Sequence, residues 1–158
     1  MLLLLALAAL TQDKLPPANP LPPPAAGTEE AAVLAPIERM FAALTARDGA
    51  ALLAETSAEA PAIVSVERAG APATVRRMTM GAFAANLKPG AERMVERITS
   101  PAIEIDGDMA MVWAPYTFTI DGKLSHCGTN HFGMMREGGR WRVASLAWTQ
   151  RTTGCPAV

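Results

Sequence analysis

The segment from residue 109 to residue 150 reads MAMVWAPYTFTIDGKLSHCGTNHFGMMREGGRWRVASLAWTQ, and its pattern decides the fold. Two dipeptides, Asp121-Gly122 and Gly138-Gly139, divide it into three long stretches rich in apolar and β-branched residues. Such dipeptides allow the positive φ angles that tight hairpin turns need. Asp106-Gly107 gives the same signal just upstream. We therefore predict three consecutive hairpins that join four antiparallel strands, at residues 94–105, 109–120, 123–136 and 140–150.

Three helices are predicted ahead of this meander. Thr28, Asp48 and Thr79 are each suited to capping the first turn of a helix. Pro36 lies within the first helical pattern, and because proline removes a backbone donor it must kink that helix or open a shorter one. The apolar stripe of the first helix recurs at helical spacing and consists of Val33, Ile37, Met40, Phe41 and Leu44.

Two short strands complete the pattern. β-branched and partly alternating residues predict them at 63–68 and 74–78. Ser100-Pro101 interrupts the first strand of the meander and indicates a bulge or an edge position, because proline cannot donate to a strand ladder. Helices followed by a mainly antiparallel sheet predict an α+β domain with the helices on one side of a curved sheet. The concave side must then be filled by side chains or enclose a cavity.

The N-terminal region predicts export. Met1 to Leu10 is an apolar run too short to span a membrane, and it is interpreted as part of a signal peptide at residues 1–14. A buried helix is the alternative. Prolines dominate the stretch that follows, which predicts an extended linker at residues 15–27 and a folded domain at residues 28–155. We expect a periplasmic or secreted location.

Cysteine content and charge narrow the possible functions. Cys127 and Cys155 are compatible with a disulfide in an oxidising compartment, and two unpaired thiols are the alternative. Fourteen Lys and Arg against fifteen Asp and Glu give a net charge of −1 over 158 residues. Without a run of one sign, we expect no binding to nucleic acid and no membrane association of the mature form.

Counting outward from the Asp121-Gly122 turn predicts which side chains share a face. It places Thr117 opposite His126, Tyr116 opposite Cys127 and Trp113 opposite Asn130. The group assigned to the concave face supplies the candidate ligand-binding residues, which are Trp113, Thr117, His126, Asn130, Phe132 and Trp141; Val143 and Ser145 share this face. A role in the core is the alternative for Trp113, Phe132 and Trp141, and a hydrogen bond to the backbone is the alternative for Asn130. His126 is placed within reach of the Thr117 hydroxyl.

The opposite face is predicted to carry His131, Tyr116, Leu146 and Trp148, with Thr129 and Cys127 beside them. No helix remains to cover this surface, which is large and amphipathic. A self-complementary contact that forms a homodimer is our hypothesis for it.

The order of these elements resembles the nuclear transport factor 2-like superfamily, with the SnoaL-like or lumazine-binding branch the most similar. The resemblance covers about Thr28 to Cys155 and implies a cone-shaped, cystatin-like fold, often dimeric, whose members include isomerases, dehydratases, cyclases and non-catalytic binding domains. It is carried by residues 112–116 (VWAPY), 121–123 (DGK), 125–132 (SHCGTNHF), 139–141 (GRW) and 154–155 (GC).

The resemblance also defines what the chain lacks. Enzymes of this kind use a pocket carboxylate as general base, and close relatives often carry an acid at the position of Asn130, whose amide cannot accept a proton. Among the carboxylates weighed, Glu67 alone is a candidate to reach the hollow, and a position on the surface is the alternative. His126 is a candidate catalytic base, with a structural role or a ligand hydrogen bond as alternatives. The other carboxylates weighed lie in caps, turns or on a strand: Asp48, Asp106, Asp108, Asp121 and Glu104.

The leading hypothesis is an exported domain, without metal or cofactor, that binds a small, partly apolar molecule in its cone. The first alternative is an isomerase, dehydratase or cyclase that uses His126 or Glu67. The second alternative is a dimerisation or protein-interaction module with a filled cone. A hollow of about 300 Å³ or more with converging polar groups favours the first two.

Overall fold

A computed structural model describes residues 22–157. The predicted signal peptide lies outside the described residues, as does most of the predicted linker, and residues 22–27 form no helix or strand. The helices are α1 (Glu29–Ala46), α2 (Gly49–Leu53) and α3 (Met80–Ala85). The strands are β1 (Pro61–Arg68), β2 (Ala71–Thr79), β3 (Met94–Ile98), β4 (Ala102–Asp106), β5 (Met109–Ile120), β6 (Lys123–Glu137) and β7 (Arg140–Gln150).

The three predicted caps are confirmed. The side chain of Thr28 accepts a hydrogen bond from the third residue after it, and Asp48 and Thr79 do the same for α2 and α3, at 3.3, 2.9 and 3.1 Å. Pro36 lies inside α1, which runs on through it. The alternative of a shorter helix that begins at Pro36 is therefore wrong. Val33 and Ile37, on either side of the proline, are buried and hold this stretch of helix against the sheet.

All strands form one sheet in the order β2-β1-β7-β6-β5-β3, and β4 also pairs with β5. Every pairing is antiparallel except that of β1 with β7. The three predicted hairpins are confirmed. The first predicted long strand is two strands, because Ser100 takes a positive φ of 45° before Pro101, and β3 and β4 each pair with a different half of β5.

The helices cover one side of this curved sheet, as predicted. The core lies between them and is built mostly of aliphatic side chains. Val33 and Ile37 of α1 and Val112 and Phe132 of the sheet are fully buried there. Phe41 packs edge-on against Phe132, with ring centroids 6.1 Å apart. This core fills the part of the cone near the start of α1 and leaves the other part open.

A bulge in β6 changes the predicted faces. Ile120 pairs with Lys123 as the turn predicts, but Ser125 is an extra residue, so that His126 pairs with Phe118 and Cys127 with Thr117. A β-bulge places two residues of one strand opposite one of its partner and shifts the register beyond it. The predicted pairing of Thr117 with His126 is therefore wrong.

A second bulge, at Ala144 of β7, has a similar effect. Met134 pairs with Val143, whereas Gly133 pairs with Ser145, so the alternation of β7 changes between these positions. The predicted outward placement of Leu146 and Trp148 is wrong, because both lie on the helix side, where Trp148 meets Phe83. Ser145, predicted on the helix side, instead packs against Gly133.

The predicted disulfide is confirmed. Cys127 and Cys155 are bonded, with Cα atoms 5.6 Å apart. Cys127 also exchanges both backbone hydrogen bonds with Arg151, each at 2.9 Å. The segment after β7 is thus held against β6, beside His126.

Candidate functional site

A cavity of about 310 Å³ lies between the sheet and the ends of α1 and α3. Most of its wall is apolar, and polar side chains enter it from four strands and from the helix ends. Its volume and the convergence of polar groups exclude a completely filled cone in the described residues. The apolar wall consists of Leu44, Phe83, Leu87, Met94, Phe118, Leu146 and Trp148.

Glu96 is the central polar residue of this cavity. It pairs with Phe118 on the helix side of β3, between Met94 and Ile98, which share its face. Its Oε1 accepts a hydrogen bond of 2.6 Å from Nδ2 of Asn130. Burial raises the pKa of Glu96 from 4.5 to about 7, although the hydrogen bond from Asn130 lowers it. The carboxyl group therefore gains or loses its proton near neutral pH.

His126 forms another part of the wall. Its ring stacks on Phe118 with centroids 4.6 Å apart and meets Tyr116 edge-on at 5.8 Å. Its Nδ1 lies 3.2 Å from the hydroxyl oxygen of Ser125. Burial lowers the pKa of His126, so the imidazole is neutral at pH 7.

Tyr116 closes the cavity on the β5 side. It is 3% exposed, and its hydroxyl donates to the carbonyl oxygen of Thr149 at 2.9 Å. Burial raises the pKa of this phenol, with the Glu96 charge acting in the same direction. Tyr116 therefore remains protonated and fixes the spacing of β5 and β7 instead of transferring a proton.

Arg47 lies at the mouth of the cavity, beside Asn86 and Gln150. It ends α1 in the left-handed region, with φ at 56°. Its guanidinium donates to the carbonyl oxygens of Lys88 and Glu92 at 3.2 and 3.1 Å and to the Glu92 carboxylate at 3.3 Å. The mouth is thus held by a charged pair bound to the loop after α3.

The structure brings together two of the six predicted ligand-binding residues. His126 and Asn130 line the cavity. Phe132 is in the core, and Trp141 is buried at the start of α1, where its Nε1 donates to Glu29 at 3.0 Å and Arg136 lies over its ring at 4.4 Å.

Placing Trp113 and Thr117 on the concave face is wrong. Beyond the Ser125 bulge both residues lie on the outer face of the sheet, and Trp113 is 52% exposed. Thr117 is accordingly on the opposite side of the sheet from His126, so the predicted contact between its hydroxyl and the imidazole does not form. The predicted placement of Tyr116 on the outer face is also wrong, because Tyr116 is buried on the helix side.

Glu67, the carboxylate considered for the hollow, does not reach it, and the alternative of a surface position is confirmed. Glu67 is exposed at the end of β1, near Arg151. Glu96 occupies the cavity instead, and the prediction of a single strand at residues 94–105, which assigns no faces, does not identify it. Met94, Glu96 and Ile98 occupy alternate positions of the strand, but the residue between Met94 and Glu96 is the apolar Val95, so the sequence carries no clear period of two that would mark an inward-facing acid.

The outer face carries a ridge between two grooves. Trp113 and His131 form the ridge, with ring centroids 6.1 Å apart. On one side lies a groove of about 480 Å³ lined by methionines such as Met109 and Met135, and on the other a groove of about 300 Å³ lined in part by Val75. Four apolar residues of this face are 39–56% exposed: Val75, Met109, Trp113 and Met135. His131 lines both grooves.

Residues 22–157 contain neither a metal-binding cluster nor a membrane-spanning helix. This part of the chain has no group of three or more His, Cys, Asp or Glu placed to hold a metal ion. It also has no helix with the length and apolar character needed to cross a lipid bilayer.

Comparison with known proteins agrees with the geometry. Residues 33–147 match the model of the SnoaL-like domain. Among curated proteins, none matches the chain. The fold is similar to a protein of unknown function from Mycobacterium tuberculosis, with a TM-score of 0.62, 16% identity and coverage of 78% of this chain and 72% of that one.

Two further solved structures show the same fold. An NTF2-like protein from Cytophaga hutchinsonii has a TM-score of 0.64 and 14% identity, over 78% of this chain and 99% of that one. A protein assigned as the beta subunit of an aromatic-ring-hydroxylating dioxygenase from Novosphingobium aromaticivorans has a TM-score of 0.62 and 12% identity, over 77% and 88%. At these identities the similarity concerns the fold.

Proposed function

The chain belongs to the SnoaL-like domain family, within the predicted nuclear transport factor 2-like superfamily, and on this basis we propose that it binds a small, largely apolar molecule in the cavity beside Glu96. The observation that carries the proposal is a cavity of about 310 Å³ with aromatic and aliphatic walls and one hydrogen-bonded acid, Glu96 with Asn130, inside. Ligand sites combine apolar walls with a few placed polar groups in this way. His126 and Asn130 keep their proposed roles as ligand contacts.

Titration with naphthylethanol, a fluorescent neutral probe, tests this proposal. We expect saturable binding to the wild-type protein and loss of binding in Leu87→Trp, because the larger ring occupies the cavity that Leu87 lines. Trp113→Phe on the outer face is the control and should bind as the wild type does. Equal binding by Leu87→Trp would contradict a ligand site in this cavity.

A proton-transfer enzyme is the second candidate function. Its specific support is Glu96, whose raised pKa of about 7 suits a general base near neutral pH, and which replaces the predicted Glu67 in this role. His126 remains the other candidate base. Exchange of carbon-bound hydrogen for deuterium in phenylacetone tests it: the wild-type protein should accelerate exchange, Glu96→Gln should not, and His126→Gln reports whether the imidazole takes part. No acceleration by the wild type would contradict the idea for arylacetones.

We propose that the outer face binds a second copy of the chain. The exposed Trp113–His131 ridge lies between two grooves, so a two-fold axis can place each ridge in a groove of the partner. Exposed apolar patches of this kind mark contact sites. The predicted Tyr116 and Leu146 are not part of this surface. Trp148 lines the smaller groove, although its ring meets Phe83 on the helix side, and Trp113 is the exposed aromatic residue of the ridge.

We further propose that the protein functions outside the cytoplasm. The Cys127–Cys155 disulfide supports this, since such bonds persist in oxidising compartments. Thiol counting on protein taken from the periplasm and from the cytoplasm of an expression host tests it. Two free thiols in the exported protein would contradict the proposal.

A further inference from the structure

The cavity holds a carboxylate that has no counter-ion, and we infer that its ligand is a small organic cation attached to an apolar, aromatic body. This inference rests on the proposed function, because it names the chemical class of the molecule that the same cavity binds.

Glu96 lacks a positive partner. Among the described residues it takes part in no salt bridge, and its one side-chain hydrogen bond comes from the neutral amide of Asn130. Glu96 is partly buried, at the wall of the cavity. A carboxylate withdrawn from bulk water is costly unless a cation and further hydrogen bonds compensate for the lost water. Desolvation is accordingly the largest influence on the pKa of Glu96, and no neighbouring positive charge offsets it.

The other titratable groups facing this carboxylate do not supply the missing charge. From the end of α1, Arg47 directs its guanidinium at the carbonyl oxygens of Lys88 and Glu92 and at the Glu92 carboxylate. From β6, His126 is neutral because burial lowers its pKa. From β5, Tyr116 is a neutral phenol whose hydroxyl donates a hydrogen bond to the carbonyl oxygen of Thr149. On the α3 side the cavity is lined by an amide and apolar residues.

The walls suit the proposed ligand. Phe83, Tyr116, Phe118 and Trp148 line the same cavity as Glu96. The faces of aromatic rings attract cations, most strongly where water is excluded. A cationic ligand gains this attraction together with a charge-assisted hydrogen bond to Glu96. A neutral ligand leaves the carboxylate without a counter-ion, and an anionic ligand is repelled by it.

Three probes with the same ring system test the inference: naphthylethylammonium, naphthylethanol and naphthylacetate. We expect the ammonium to bind the wild-type protein about tenfold more tightly than the alcohol, with the acid the weakest. Because a proton competes with the cation for Glu96, this preference should increase from about pH 6 to about pH 8. Glu96→Gln should bind the ammonium and the alcohol equally at every pH. Glu59→Gln, the same change on an exposed residue, should behave as the wild type.

The outcomes separate this inference from the proposed function. If the alcohol binds the wild type as tightly as the ammonium, or if Glu96→Gln keeps the preference, the cation inference is overturned and the apolar binding function stands. If none of the three probes binds the folded protein, both are overturned. A preference that depends on Glu96 and on pH supports both.

Discussion

Glu96 and His126 lie opposite the same residue, Phe118, from the two strands that flank β5. Both side chains therefore share the helix face of the sheet and enter one cavity, with the Phe118 ring between them. Asn130, further along β6, reaches across to the Glu96 carboxylate at 2.6 Å. The polar chemistry of the cavity is thus set by three neighbouring strands, and it depends on the bulge at Ser125 that gives His126 its place.

The stability of the protein should depend on Glu96 and on pH. Its pKa is raised from 4.5 to about 7, so the native state holds this proton more tightly than the unfolded chain does. Stability is then lost as the pH rises from about 4.5 to about 7, and the loss is complete above that range. At about 1.4 kcal/mol per pH unit, the loss amounts to about 3 kcal/mol. Glu96→Gln should be more stable than the wild type by up to this amount at about pH 8, and equal to it at about pH 4.

Urea denaturation of both proteins at the two pH values measures this difference. His126 contributes the opposite slope, since its lowered pKa adds stability as the pH rises toward 6.5, but both proteins retain it and the contribution cancels. Glu59→Gln should show no pH-dependent difference from the wild type. A constant difference between Glu96→Gln and the wild type across the range would show that the carboxyl group is not buried.

Two glycines of β6 should respond differently to a methyl group. A Cβ at Gly128 would clash with the carbonyl group of Thr149 and lie 2.8 Å from a ring carbon of Tyr116, so backbone would have to move. A Cβ at Gly133 would meet the hydroxyl of Ser145 at 2.5 Å, and that side chain can rotate. We expect Gly128→Ala to cost about 2 kcal/mol or more and Gly133→Ala clearly less. Equal costs in thermal or chemical unfolding would contradict the close approach of β7 at Gly128.

The disulfide should contribute much of the stability of this small domain. Cys127 and Cys155 are 28 residues apart, and closing a loop of that length stabilises the fold by roughly 3 to 4 kcal/mol in the chain-entropy account. The double variant Cys127→Ala, Cys155→Ala should therefore unfold at lower denaturant concentration. A reducing agent should destabilise the wild type and leave the variant unchanged. Equal sensitivity of the two proteins to the reducing agent would contradict this contribution.

Association through the outer face should depend on Trp113. Trp113→Lys places a charge on the ridge and should shift the protein toward the monomer in sedimentation velocity. Ala42→Lys, on the exposed side of α1, is the matched control and should leave the association unchanged. Both variants should still bind naphthylethanol, because neither residue lines the cavity. A wild-type protein that remains monomeric at high micromolar concentration would contradict the proposed contact.

Most of the fold could be predicted because its signals are local. A cap residue and a Gly-containing turn act within a few residues of chain, so Thr28, Asp48 and Asp121-Gly122 identify helix starts and a hairpin correctly. The disulfide between Cys127 and Cys155 is different, because the sequence does not determine the distance between the two residues. The sequence therefore shows only that the bond is possible.

The site could be predicted only in part, because the face of each strand residue is counted from the turn, and one extra residue reverses every assignment beyond it. One extra residue at Ser125 and another at Ala144 reversed the faces beyond them, which exchanged Trp113 for Tyr116 inside the cone. Neither bulge has a clear sequence signal, as both residues are ordinary strand residues. Met94 and Ile98 share the face of Glu96, but the apolar Val95 on the other face hides the alternation, so the sequence does not single out Glu96.

The three tryptophans lie in three different surroundings, and this makes the protein its own set of optical reporters. Trp141 is in the core, Trp148 forms the cavity wall, and Trp113 is at the outer surface. In variants that keep one indole each, the emission of Trp141 reports unfolding and that of Trp148 reports occupancy of the cavity. The emission of Trp113 reports contact with a second copy, so each of three events whose signals overlap in the intact protein can be followed in its own variant.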